Sequence, residues 1–252
     1  MISDPLFYAV AVPAVIMVGL GKGGFGGGFA MLAVPLIALV TSPQAAAGIM
    51  LPILLVMDAI AIASYRRHFD AASLWVLIPG GMLGTALGWV LASAVSDDGI
   101  RLMVGAVAVV FSIDFLLRRG RTDAWRPPAW LGTLLGTISG FTSFVAHAGG
   151  PPVQMYLLPQ RLTKEAFAAT NVLFFASINV AKIWPYADLG QLAPVNLAAS
   201  AVLIPVALLA TLAGVKVTRY VPIKPFYVVA YASVFLIGLK LVWDGLRGTG
   251  WL

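Results

Sequence analysis

Apolar stretches of the length that crosses a bilayer recur along the chain at 44–64, 72–94, 100–117, 166–186, 194–215 and 225–246. A helix needs roughly 20 residues to span the hydrocarbon core, so each stretch is predicted as a transmembrane helix. Two further apolar regions, 6–41 and 129–159, break this pattern. The first is interrupted by Gly21-Lys-Gly-Gly-Phe-Gly-Gly-Gly28, the second by Gly140-Phe-Thr-Ser-Phe-Val-Ala-His-Ala-Gly-Gly-Pro-Pro152. Backbone freed from helical hydrogen bonding is tolerated at membrane depth only where protein buries it or where it lines a polar cavity. Each region is therefore predicted as a broken helical hairpin with the interruption at its tip. Paired breaks in corresponding halves of a chain point to a transport site.

Composition fixes the class. Of 252 residues, 60% are hydrophobic and only 10% charged, and the mean hydropathy is +0.95. This is an all-α integral membrane protein. The longest polar connection, Arg118 to Pro128, leaves no room for a soluble domain, so function must lie in the membrane part. The opening Met-Ile-Ser-Asp-Pro lacks the basic start of a signal peptide, and the first apolar segment is expected to be retained. The absence of cysteine excludes disulfides and thiolate metal sites, and two histidines leave little for any other metal centre. Neither a metal nor a cofactor is expected. The net charge of +6 comes from basic residues scattered over short loops, not from one basic face, so no nucleic-acid partner is implied.

Sliding the chain by 121 residues aligns Gly19 with Gly140, Gly28 with Gly149, Ser42 with Thr163, Asp58 with Asn179 and Tyr65 with Tyr186. The order of elements agrees: a broken hairpin, then three long helices, twice. Repeat one is read as 1–117 and repeat two as 129–252, joined by a linker at 118–128. Charge placement orients them, because cytoplasmic loops carry the excess of Lys and Arg. If each hairpin returns to the side it came from, Arg66, Arg67, Arg118, Arg119, Arg121, Arg126, Arg161, Lys164, Lys216, Arg219 and Lys224 are cytoplasmic and only Arg101 and Arg247 lie outside. If each hairpin crosses once, the bias disappears. The first arrangement is preferred. Each half then has an odd number of crossings, which makes an inverted repeat with a cytoplasmic linker and both termini outside.

The Gly-rich run Val18-Gly-Leu-Gly-Lys-Gly-Gly-Phe-Gly-Gly-Gly-Phe29, the Pro35-Leu36 after it, Pro43-Gln44 and the second break ending in Gly149-Gly-Pro-Pro152 resemble the TauE/SafE sulfite exporter family over essentially the whole chain. The resemblance implies a carrier in the bacterial inner membrane for a sulfur-containing anion such as sulfite, sulfoacetate or a related organosulfonate. Substrate and direction vary within that family.

The residues themselves agree with an anion. Helix N-termini exposed at a break offer unpaired N–H groups and partial positive charge. Gly23, Gly24, Gly26, Gly27, Gly149 and Gly150 let a ligand approach the backbone, and Lys22 adds a full charge. An ionisable group inside a membrane segment is functional by default, although Lys22 is also open to a structural ion pair. Thr142, Ser143 and His147 supply donors in the second break, with Gln154 beyond it. Histidine changes charge near physiological pH, so His147 is a candidate for proton coupling, as is Asp58; a plain helix-capping role for His147 is equally open. Asp58, Asn179 and Lys182 form a polar set on the long helices, either for coupling or for pairing helices, with Asp58 free to neutralise Lys22 or Lys182. Asn171 is expected to bond between helices. Gly80, Gly81, Gly84 and Gly88 fall at the spacing of close helix packing. Trp75, Trp125, Trp130, Trp184, Trp243 and Trp251 fall at span ends, where amphipathic rings favour the interface.

No Gly-x-Ser-x-Gly, His-Glu-x-x-His or paired acids occur in one segment, so no catalytic residues are assigned. A passive anion channel is the first rival to a carrier and an intramembrane enzyme the lesser one, and a homodimer stays open.

Overall fold

The computed structural model describes residues 4–22, 30–65, 69–92, 96–117, 126–217, 235–236, 238–240 and 242–249. Through residue 217 the described chain forms α1 (Pro5–Lys22), α2 (Ala30–Ile37), α3 (Pro43–Tyr65), α4 (Ala71–Ala92), α5 (Asp97–Leu117), α6 (Ala129–Ala146), α7 (Gly150–Leu157), a short 3₁₀ turn (Leu158–Gln160), α8 (Lys164–Ala181), α9 (Ile183–Asp188) and α10 (Pro194–Val217). No strand occurs among the described residues. The span expected at 225–246 lies mostly outside them, with helix at 235–236, 238–240 and 242–248. Gly23, Gly24, Gly26 and Gly27 also lie outside the described residues.

Among the described residues six stretches are long and apolar enough to cross a membrane: α1, α3, α4, α6, the α8–α9 run and α10. The chain is a multi-pass membrane protein. The first arms of the two broken regions belong to this set. At 18 residues each, α1 and α6 reach about 27 Å, whereas the returning arms α2 and α7 have eight residues each. The helix expected without interruption at 166–186 is instead broken at Lys182. Pro185 explains the break, since it has no N–H to offer the preceding turn and its ring crowds the carbonyl of Ala181.

Contacts at the helix ends show which ends lie together. Arg126, just before α6, pairs with Asp70 at 3.2 Å, and Gln160, just after α7, hydrogen-bonds to Ser73 Oγ. The Asp70 N–H donates to Thr170 Oγ1 in α8. The chain therefore enters and leaves the α6–α7 unit at the same end of α4. At the opposite end, Trp89 Nε1 donates to Asp188 Oδ2 at 3.0 Å.

Packing crosses between the two halves in a reciprocal manner. The long arm α1 packs on α10, and the long arm α6 packs on α4. The α4–α6 contact is backbone against backbone. A Cβ on Gly84 would strike the Thr137 carbonyl, and one on Gly140 the Gly81 carbonyl, so glycine is what allows these helices to touch. The contacts advance together along both chains, Gly80 to Thr133, Gly84 to Thr137 and Gly88 to Phe144, so the two helices run parallel. The central pair α3 and α8 also start alike. Ser42 Oγ accepts from the Ala45 N–H and Thr163 Oγ1 accepts from the Ala166 N–H, both at 3.2 Å, and these caps stand 121 residues apart.

The outer surface is apolar. Trp75, Trp130 and Trp184 are largely exposed, as interface rings are, along with Leu83, Val90 and Leu209.

Candidate functional site

The second break begins where α6 ends. His147 closes the helix in the left-handed region, at φ 52° and ψ 24°, a place that glycine usually fills. Its N–H donates to Ser143 O at 3.0 Å, and the Ala148 N–H donates to Thr142 O at 3.2 Å. Histidine tolerates this conformation better than most residues but still at some cost, which points to a need for its side chain. The Thr142 hydroxyl bonds within the hairpin, 2.9 Å from Ile138 O and 3.2 Å from Ala148 O. Gly149 is packed against its own hairpin, because a Cβ there would come within 2.7 Å of both Ser139 O and Ser139 Oγ. It serves the close approach of the two arms.

The last carbonyls of a helix have no partner inside it. Here two side chains of the opposing broken helix supply them. Lys182 Nζ donates to Ser143 O at 2.7 Å, and the Tyr186 hydroxyl donates to Phe144 O. The Tyr186 ring also meets the Phe144 ring edge-on, with centroids 5.1 Å apart. What faces the break from α6 is thus a helix C-terminus matched by a cation. The α1 arm likewise carries a buried cation in its last turn, Lys22.

Lys182 is the hub. Its side chain is fully buried, and its ammonium has four acceptors: Ser143 O and Oγ at 2.7 Å, Asn179 Oδ1 at 3.1 Å and His147 Nδ1 at 3.2 Å. The other imidazole nitrogen, Nε2, lies 3.0 Å from the Ala47 carbonyl of α3. A carbonyl only accepts, so Nε2 carries the hydrogen and Nδ1 receives from Lys182. His147 is therefore the neutral tautomer, and all four partners of Lys182 are uncharged.

Asn179 links this cluster to a second one. Its Nδ2 donates to Asp58 Oδ2 at 2.7 Å, while the other carboxylate oxygen of Asp58 pairs with Lys22. Lys22 also donates to the Leu54 carbonyl at 3.3 Å. Asp58 thus neutralises Lys22, not Lys182. Both partners are almost wholly buried, as is His147. The geometry makes one continuous network: Lys22, Asp58, Asn179, Lys182, then Ser143 and His147, and finally the α3 backbone. A fixed bundle of charges in a dry interior can hold an ion of opposite excess charge, and its members are placed on four separate helices that must stay in register to hold it.

Of the residues expected from the sequence, Lys22, Asp58, Ser143, His147, Asn179 and Lys182 meet in this network. Thr142, Gly149 and Gly150 are buried in the hairpin turn beside it, and Gln154 is buried on α7. Asn171 bonds to the Phe167 carbonyl of its own helix at 2.9 Å instead of to another helix. Among the described residues no group of three or more His, Asp or Glu is arranged to hold a metal.

The comparison with known families decides the kinship. A family model described as Sulfite exporter TauE/SafE matches residues 11–241. The chain belongs to the TauE/SafE sulfite exporter family. No curated protein and no solved structure matches it. The matched span of this TauE/SafE protein runs from α1 through all the described elements of the network, so the buried charges lie inside the family's own region. Membership in a family of transporters agrees with a protein that is not an enzyme.

Sequence reasoning did not find Tyr186 as a member of this site. The repeat alignment with Tyr65 had singled it out, but nothing in its own neighbourhood said that the hydroxyl would reach across to a helix end.

Proposed function

We propose that this chain is a secondary carrier of a small sulfur-containing anion, such as sulfite, sulfoacetate or a related organosulfonate, in the bacterial inner membrane. The observation that carries the reading is Lys182, a fully buried ammonium whose partners are all neutral. A buried charge without a counter-charge is costly, and in a membrane protein such groups mark ion pathways. The anion is the missing counter-charge. Its oxygens would exchange with one of the four acceptors around Nζ, Ser143 Oγ being the one that a single rotamer change releases.

The charge assigned to Lys22 from sequence moves to Lys182 on this reading, with Lys22 held by Asp58. Proton coupling, if His147 and Asp58 are compared, falls to Asp58. Both ring nitrogens of His147 are engaged in its neutral form, whereas Asp58 is a carboxylate whose protonation frees Lys22.

Read as an inverted repeat, the chain would work by alternating access. The support for that repeat is the exchange of α1 and α6 between halves, the equivalent caps Ser42 and Thr163, and the contact of Asp58 with Asn179. In inverted-repeat carriers the halves rock about a fixed midplane site. The charge bias favours both termini in the periplasm.

Purified protein in liposomes tests the reading. Labelled sulfite, thiosulfate, sulfoacetate, taurine, sulfolactate and simple carboxylates are offered with the unlabelled compound preloaded inside. Saturable counterflow of one or more sulfur anions, chemically unchanged, is expected. Linear, non-saturating flux would identify a channel, and a changed product an enzyme.

A further inference from the structure

Resting on the carrier reading above, we propose that three buried side chains fix the charge of the transported anion at minus one, with Asp58 as the residue that sets this number. Among the described residues the buried formal charges are Lys22, Asp58 and Lys182. Asp58 cancels Lys22 by direct contact, and its second oxygen is taken by an amide, not by a second cation. One positive charge is left over. In a site that excludes water, an anion of charge minus one closes the sum, and a dianion leaves an excess that nothing in the network absorbs.

The asymmetry between the halves is what leaves that charge. Position 58 is aspartate and its equivalent, 179, is asparagine; a carboxylate at both would bring the sum to zero. The lysines are also exchanged between elements. Lys22 on the α1 arm corresponds to Ser143 on the α6 arm, and Lys182 at the end of α8 corresponds to Ala61 on α3. Each half thus delivers one ammonium to the network, one from a hairpin and one from a long helix. Only the α1 ammonium meets a carboxylate.

Among the described residues the titratable groups around Asp58 are few. Lys22 faces it from α1, and Lys182 reaches it from the end of α8 only through Asn179. His147 at the α6 tip touches Lys182, and the Tyr186 hydroxyl of α9 is spent on Phe144 O. A proton taken by Asp58 raises the sum to plus two, so a dianion is matched only when it travels with that proton.

The test uses proteoliposome counterflow with two probes of similar size, labelled ethanesulfonate as monoanion and labelled sulfoacetate as dianion, at pH 7. The wild type is expected to exchange ethanesulfonate at least tenfold faster than sulfoacetate. Asp58→Asn, with a sum of plus two, should reverse that preference. Lys22→Gln, with a sum of zero, should lose both. The double variant Lys22→Gln/Asp58→Asn returns to plus one and should regain ethanesulfonate exchange with the wild-type preference. A merely structural pair predicts no such recovery of selectivity. A wild type that prefers sulfoacetate, an Asp58→Asn protein with the wild-type ratio, or a double variant that elutes as folded protein yet moves neither probe overturns the inference while leaving the carrier reading in place. A wild type that exchanges no sulfur anion at all overturns the carrier reading, and the inference with it.

Discussion

Asn179 and Asp58 stand 121 residues apart in the chain and share a 2.7 Å hydrogen bond, amide to carboxylate, between α8 and α3. On the proposed repeat reading these two positions are equivalents, and a residue that touches its own equivalent would lie at the axis relating the two copies, as in an isologous contact between subunits. Asn179→Asp would set two carboxylates against each other and is expected to destabilise the protein, by about 3 to 5 kcal/mol if the network is broken outright. The exchange variant Asp58→Asn/Asn179→Asp keeps one carboxylate at the axis and should recover most of that loss. Thermal unfolding in detergent checks this; an exchange variant no more stable than Asn179→Asp alone would show that the two positions are not equivalent.

Tyr186→Phe removes the hydroxyl that serves Phe144 O and leaves a buried helix-end carbonyl without its partner. The expected cost is about 1 to 3 kcal/mol, read as a lower unfolding midpoint. An unchanged midpoint would mean that the α6 end is held by Lys182 alone.

His147→Gly separates backbone from side chain. Glycine suits φ 52° better than histidine does, so the turn should survive. The links to Lys182 and to the Ala47 carbonyl are lost. Folded protein with exchange of the best sulfur anion lowered at least tenfold is the expected result. Exchange at the wild-type rate would reduce His147 to a helix cap.

The orientation rests on charge and is tested by chemistry. In intact cells an impermeant thiol reagent should label Ser96→Cys and Asp188→Cys but not Thr122→Cys. Labelling at Thr122→Cys with none at Asp188→Cys would invert the proposed topology.

Periodicity and composition were enough to locate α3, α4, α5 and α10 to within about three residues, because a membrane-spanning helix writes its length directly into the apolar pattern. The second interruption was also legible, since glycine, proline and charge are conspicuous in apolar sequence, while the first lies mostly outside the described residues. The break at Lys182 was missed, although Pro185 marked it, because apolar residues resume after Lys182 and no glycine accompanies it. The partner of Lys22 was legible only as one of two alternatives for Asp58, and the partners of Lys182 not at all. Lys22 meets Asp58 and Lys182 meets Ser143 and His147 through packing of helices far apart in sequence, and local pattern carries no record of such pairings. The repeat alignment came nearest, because it named Asp58 and Asn179 together before any contact was known.

The central claim is that Lys182 is the ammonium that holds the anion. Equilibrium binding of labelled ethanesulfonate to purified protein tests it most directly, with the wild type compared to Lys182→Gln, which keeps a donor for Ser143 but no charge. Loss of a hydrogen bond to a charged group is worth about 1.5 to 3 kcal/mol, so the dissociation constant should rise by about 10-fold to 150-fold. A folded Lys182→Gln protein that binds ethanesulfonate as tightly as the wild type would contradict the account.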